Sequence, residues 1–242
     1  MRKIIKILKS ISRRDSINLP SQFDSSCRIS LTEASASALR SGSLTVKIKR
    51  TGNKDVIRDF TLTMKAVRGK FDIKVGGDSS SVVIEEGCHG TWSLRLWRSA
   101  KVHIGRGTSC NSADIFCDNS EIKIGDDCML SDEVVMQCGD QHGVVDLTSG
   151  EIKNTERKSI MIGSHVWICR RASLLHGAKV GRGSIVGLGA IVNTEIDECS
   201  LAVGVPAKTA RRNISWTRHT NKLDEYSSSL ISERLPLTHS EE

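Results

Sequence analysis

The sequence predicts an all-β solenoid, a parallel β-helix, on three observations. Aliphatic residues recur every six positions at Ile162, Ile168, Leu174, Val180, Val186 and Val192. Mostly small residues keep a fixed offset from them, at Val166, Ala172, Ala178, Ser184 and Ala190. Aromatic residues make up 4% of the chain, beside 20 Gly and 3 Pro, so the core must come from many small aliphatic contacts in a regular array. A period of six matches neither an amphipathic helix nor a simple alternating strand. It fits three hexads per triangular coil, with each coil stabilised chiefly by its neighbours. The composition excludes collagen-like and coiled-coil chains, and no run approaches the roughly 18 apolar residues of a membrane span.

Residues 1–20 read as a basic amphipathic helix. Arg2, Lys3, Lys6, Lys9, Arg13 and Arg14 are interleaved with Ile4, Ile5, Ile7, Leu8 and Ile11, and no acid precedes Asp15. Such a segment suits an anionic membrane surface or docking on its own protein. Its lysines interrupt any apolar stretch of a signal peptide, which places the chain in the cytoplasm, peripheral at the inner face of the membrane if the helix binds there. The net charge of +7 owes much to this segment and points to an anionic partner. None of the eight cysteines forms a C-x-x-C pair, so they read as free thiols, several of them small core residues.

Residues 21–103 contain short alternating stretches such as Leu44–Ile48, Phe60–Met64 and Ile73–Val75. They read as irregular coils of the same solenoid; a separate all-β domain is the alternative. Residues 104–212 form the regular part. The period is ragged at first, with Ile104, Cys110 and Phe116 as anchors, and resumes at Ile124, Leu130 and Met136. The next anchor, Ile162, comes 26 residues after Met136, so residues 142–159 leave the coil as a loop. Loops on rigid scaffolds tend to carry function. Residues 213–242 form a polar, Ser-rich cap and tail.

These landmarks carry a family resemblance over residues 104–218. They are the hexads, the Asp140-Gln141-His142 loop entrance, the segment Ile162-Gly163-Ser164-His165-Val166-Trp167-Ile168, and Gly204-Val205-Pro206-Ala207-Lys208. Together they resemble the left-handed β-helix, or hexapeptide-repeat, acyltransferases. Ile124-Gly125-Asp126-Asp127-Cys128 and Asn213-Ile214-Ser215-Trp216 narrow this to the branch that O-acetylates sialic acid capsules and other bacterial surface polysaccharides.

The resemblance implies direct transfer of acetyl from acetyl-CoA, as co-substrate and without a metal, to a glycan hydroxyl. His142 matches the family's catalytic base, a role that suits imidazole because it ordinarily titrates near neutral pH. Asp140 and Asp146 are both candidates to orient it. Trp167 matches the Trp beside the cofactor thiol, with an indole N–H as donor. Arg170, Gly187, Leu188, Asn193 and Thr194 match positions along the cofactor, and Lys208 and Arg211 match basic residues near its phosphates. The resemblance also implies a homotrimer with active sites between subunits, and a glycan rather than a nucleic acid as partner. Two departures weaken a specifically sialylated acceptor: Cys169 stands where the family usually has Gly, and Met136-Gln137-Cys138-Gly139 lacks an Arg frequent in that branch.

The alternative within acyl-CoA chemistry is N-acylation of an aminosugar on a nucleotide- or lipid-linked precursor. A third reading is a non-catalytic or metal-dependent β-helix such as a γ-type carbonic anhydrase. It is disfavoured because no two histidines stand five apart.

Overall fold

A coil closes after as many residues as separate two stacked anchors, and this number decides how regular the sequence looks. In the C-terminal half Ile162 pairs with Val180, Ile168 with Val186 and Leu174 with Val192. Each pair is eighteen apart, which is three hexads. In the N-terminal half Leu62, Val82, Val102 and Ile122 pair in succession, twenty apart. Ile73, Leu94, Ile115 and Met136 do so at twenty-one. The extra residues sit at the corners and disrupt the six-residue period without disturbing the stack.

The computed structural model describes residues 17, 19–157 and 159–234. The basic segment at 1–14 and the extreme C-terminus lie outside the described residues. One face of the solenoid is an eight-stranded parallel sheet. Its strands are β1 (Arg28–Leu31), β3 (Thr61–Met64), β5 (Ser81–Ile84), β7 (Lys101–Ile104), β9 (Glu121–Ile124), β12 (Ser159–Ile162), β15 (Lys179–Val180) and β18 (Glu195–Ile196).

The other two faces share a twelve-stranded sheet. In the N-terminal half single long strands wrap both: β2 (Leu44–Arg50), β4 (Gly69–Val75), β6 (His89–Leu96) and β8 (Ser109–Cys117). Beyond β8 they separate. The second face carries β10 (Met129–Leu130), β13 (Trp167–Ile168), β16 (Ile185–Val186) and β19 (Ser200–Val203). The third carries β11 (Val134–Cys138), β14 (Ser173–Leu175) and β17 (Ile191–Val192). Strand β20 (Lys208–Arg212) pairs antiparallel to β19 and ends the parallel stack. Two helices, α1 (Glu33–Ser41) and α2 (Glu225–Arg234), flank the solenoid. Among the described residues no helix is long and apolar enough to cross a membrane.

The interior is a column of aliphatic side chains, with Leu62, Ile84, Ile104, Ile124, Ile162 and Ile168 almost wholly buried. Five cysteines join it: Cys88, Cys110, Cys117, Cys128 and Cys138. Burial pushes the Cys88, Cys117 and Cys128 thiols up to about 12, so they are inert core residues. Glycines recur where coils approach most closely. A Cβ on Gly163 would lie 2.6 Å from the Arg182 amide nitrogen of the next coil.

Phe116 departs from the expected ladder. Ile115 faces the core and pairs with Met136, whereas Phe116 turns outward and pairs with Gln137. In an extended strand neighbouring residues face opposite sides, and the longer coil here shifts the anchor by one. Replacing Ile115 with Ala is therefore expected to cost about 2–5 kcal/mol, and the same change at Phe116 distinctly less. Chemical denaturation of the two variants measures the difference; equal losses would return Phe116 to the core.

Candidate active site

Three edges run along the solenoid where its faces meet, and each presents different chemistry. The edge between the first and second faces is sealed by the C-terminal segment. Buried His165 receives its seal there. Its Nδ1 lies 2.7 Å from Asp127 Oδ2 and its Nε2 lies 2.9 Å from the Trp216 carbonyl. The Trp216 indole N–H returns a bond to the His165 carbonyl at 2.8 Å. Trp216 and Tyr226 stack on either side of the interaction, with ring centroids 4.4 and 5.3 Å from that of His165. Arg218 then spans Asp127, Ser109 and the Cys128 carbonyl. Asp127, His165 and Asp224 have the closeness of a metal-binding group. Both His165 nitrogens are already engaged in holding the cap, so its role is structural, as its place at a corner suggests.

The edge between the third and first faces carries the ejected loop, which leaves after β11 and returns at β12. Its two limbs meet at an antiparallel bridge between Val145 and Ile152. Asn154 staples the base. Its Nδ2 donates to Asp140 Oδ2 at 2.9 Å and to the His142 carbonyl at 2.8 Å, and its Oδ1 accepts from the Val144 amide at 2.7 Å. Asp146 closes the tip by accepting from the Thr148 and Ser149 amides, which hold its carboxyl below the usual carboxylate range.

His142 is thereby fixed by its backbone while its side chain is exposed. Among the described residues its ring nitrogens have no hydrogen-bond partner. Neither sequence candidate orients it in this chain: Asp146 is committed to its turn, and Asp140 to Asn154 with His176 Nδ1 at 3.9 Å. His142 borders a cleft of about 780 Å³ whose walls include Lys49, Lys74, Arg95, Phe116 and Gln137. Asn193 and Thr194 lie exposed along the same edge.

The remaining predicted residues lie elsewhere. Trp167 is half-buried on the second face, where its indole N–H donates to Ser131 Oγ at 3.2 Å and its ring tilts against Trp216. This leaves the ring surface, rather than the N–H, to meet a ligand. Arg170 and Leu188 stand at the edge between the second and third faces. Arg170 pairs with Asp132 at 3.2 Å, and the Asn111 amide joins it in lowering the Asp132 carboxyl. Gly187 is buried under Val203, with no room for a Cβ. Leu188 and Val205 are 73% and 68% exposed, an apolar strip that needs a partner or a ligand. Lys208 and Arg211 are exposed on β20 and have no carboxylate partner among the described residues.

In a triangular coil the edge between the third and first faces lies opposite the second face. One chain therefore holds His142 and Trp167 on opposite sides of itself. The loop also projects apolar residues into solvent, with Leu147 96% and Val144 59% exposed.

No protein-family model matches the chain. Polysialic acid O-acetyltransferase of Escherichia coli O1:K1 / APEC is 34% identical over 122 residues, covering 50% of this chain and 39% of that protein. Galactoside O-acetyltransferase of Escherichia coli (strain K12) is 30% identical over 122 residues, or 50% of this chain and 58% of its own length. The chain thus spans about two-fifths to three-fifths of these curated relatives. The crystal structure of the polysialic acid O-acetyltransferase OatWY superposes with a TM-score of 0.70 at 21% identity, covering 88% of this chain and 97% of that one. The polySia specific acetyltransferase NeuO gives 0.55 at 24% identity, with 88% and 99% covered. These likenesses show the left-handed hexapeptide-repeat β-helix.

The stapling role of Asn154 is directly measurable. Asn154→Ala removes three hydrogen bonds of about 0.5–1.5 kcal/mol each. The Val144 and Lys153 amides should then exchange with deuterium at least about tenfold faster, while the amides of β12 keep their protection. Unchanged exchange in the loop would mean that something other than Asn154 holds it.

Proposed function

We propose that this chain, a hexapeptide-repeat β-helix protein related in sequence to O-acetyltransferases, transfers acetyl from acetyl-CoA to a hydroxyl of a bacterial surface polysaccharide. The observation that carries this reading is the stapled loop, which spends its hydrogen bonds on holding His142 beside an open cleft and leaves the imidazole free. His142 takes the acceptor hydroxyl proton as the oxygen attacks the thioester carbonyl. The tetrahedral intermediate collapses with loss of the C–S bond, and the imidazolium returns the proton to the departing sulfur. The products are the acetyl ester and free CoA thiol, and no metal is required. A backbone N–H of a coil stabilises the oxyanion.

The cofactor lies along the edge between the second and third faces. Arg170 and Leu188 flank it, and Lys208 and Arg211 offset phosphate charge. The Trp167 ring supports the thioester. Because Trp167 on the second face lies opposite His142 in one chain, a complete site needs a second copy, with His142, Asn193 and Thr194 of one subunit facing Trp167 of the next. A homotrimer closes this contact three times. The exposed apolar residues of the loop and the Leu188–Val205 strip supply the surfaces that such a contact buries. Cytoplasmic acetyl-CoA is the donor, and the basic segment at 1–14 draws the enzyme to the inner membrane surface.

His142→Ala should lower transfer by about 10²–10⁴-fold in a thiol-release assay while acetyl-CoA still binds. Full activity in that variant would refute the mechanism. The shared site is checked by co-expressing His142→Ala with Trp167→Ala, each poorly active alone. In randomly mixed trimers about a quarter of the sites combine two intact halves, so activity should recover to a comparable fraction of wild type. No recovery would place both residues in one chain's site.

A further inference from the structure

We infer that the third-face wall of the N-terminal coils is an extended track for a carboxylate-bearing polymer, so that the acceptor is bound as a chain rather than as a single sugar. The inference rests on the reading of His142 as the acyl-acceptor base. Lys49 stands opposite Lys74, Lys74 opposite Arg95, Arg95 opposite Phe116, and Phe116 opposite Gln137. Lys74, Arg95, Phe116 and Gln137 point away from the core, since each is flanked in its strand by two buried residues, and Lys49 is exposed between buried Ile48 and half-buried Arg50 at the end of β2. Successive rungs are about 4.8 Å apart, so the row runs straight for about 19 Å. Its Gln137 end reaches the loop that carries His142, and all five residues line the same cleft as His142.

The charge pattern of this row is unlike its surroundings. Elsewhere, coil-to-coil neighbours are frequently of opposite sign, as in Lys65–Glu85, Arg98–Asp118, Arg171–Glu133, Lys179–Glu195 and Arg182–Glu198. Here three cations occupy adjacent rungs, an arrangement that destabilises a sheet by repulsion. Lys74 has a carboxylate within reach, Asp72 at 3.5 Å. Lys49 and Arg95 pair with no carboxylate among the described residues. The Arg95 guanidinium instead lies over the Phe116 ring, 5.0 Å from its centroid, which steers the cation along the row. Like charges held in line beside a reactive histidine are relieved by an anion with repeated negative groups.

The Trp97 ring lies on the cleft wall at the end of β6. It is seated on Gly52 and Gly76, where a Cβ would come within 2.8 and 2.4 Å of it. An aromatic surface beside aligned cations suits a sugar ring that carries a carboxylate.

The test is calorimetric titration of the full-length protein, without acetyl-CoA, using long and short oligomers of polysialic acid, neutral dextran and a single-stranded oligonucleotide. The long sialic acid oligomer should bind more tightly than the short one, dextran should not bind detectably, and added salt should weaken binding. Arg95→Ala and Lys74→Ala should each weaken long-oligomer binding by about tenfold, the loss of one charge-assisted contact. Arg95→Lys should recover part of it, and Lys123→Ala on the first face should bind like wild type. Equal binding of long and short oligomers, wild-type affinity in Arg95→Ala and Lys74→Ala, or tighter binding of the oligonucleotide would each overturn the track. Thiol release by the wild-type enzyme is read in parallel. Transfer without dependence on the row defeats the track alone, and binding through the row without transfer defeats the acetyltransferase reading alone.

Discussion

Each coil leaves its strand edges and its apolar floor exposed until the next coil stacks on it. Parallel pairing in register therefore governs the whole molecule, because it satisfies the backbone hydrogen bonds and buries the anchors in one step. It also imposes geometry on the outside. A residue that faces outward on one strand stands directly over its counterpart on the next, so surface chemistry is written in columns. Opposite charges in a column stabilise adjacent coils, and like charges in a column form a linear field. The glycines at the corners follow from the same constraint. Gly163 must be small because the Arg182 backbone of the neighbouring coil lies where its Cβ would be.

The three edges relieve this regularity in different ways. At the first–second edge the cap is bound through His165, whose ring is bonded at both nitrogens and stacked by two aromatic side chains. A histidine with both nitrogens occupied inside a corner is a fastener. At the third–first edge the insertion is stapled from within, so that His142 is positioned by backbone bonds and its ring remains open. Two histidines 23 residues apart in one chain thus differ in role because one has both ring nitrogens bonded, whereas the other is held through its backbone carbonyl with neither ring nitrogen bonded among the described residues.

The hexads were readable where a coil takes eighteen residues, because a constant coil length keeps anchors in phase. Coils of twenty or twenty-one residues have the same interior but lose the period, which is why Phe116 looked like an anchor and Ile115 did not. The ejected loop was visible as a gap between Met136 and Ile162, and its histidine through the residues around it. The sequence carried no sign that Asn154 staples that loop, since its partners are Asp140, the Val144 amide and the His142 carbonyl, ten or more residues away. The positions of Arg170, Gly187 and Leu188 relative to His142 were equally hidden. Spacing gives phase along a coil, but which edge a residue reaches depends on the corners.

The row Lys49–Lys74–Arg95 shows why function can be harder to read than fold in such a protein. Its members lie 25 and 21 residues apart, in segments with no shared motif, and only the register of long strands aligns them. The landmarks of the acyltransferase resemblance, by contrast, are contiguous and fall within residues 104–218. Chemistry at a single atom requires a local constellation, which sequence preserves as a motif. Recognition of an extended polymer requires only charge at a repeating height, which many residues on many coils can supply. A solenoid can therefore hold its reactive corner constant while the columns leading to it change, and the acceptor it takes would follow from the columns.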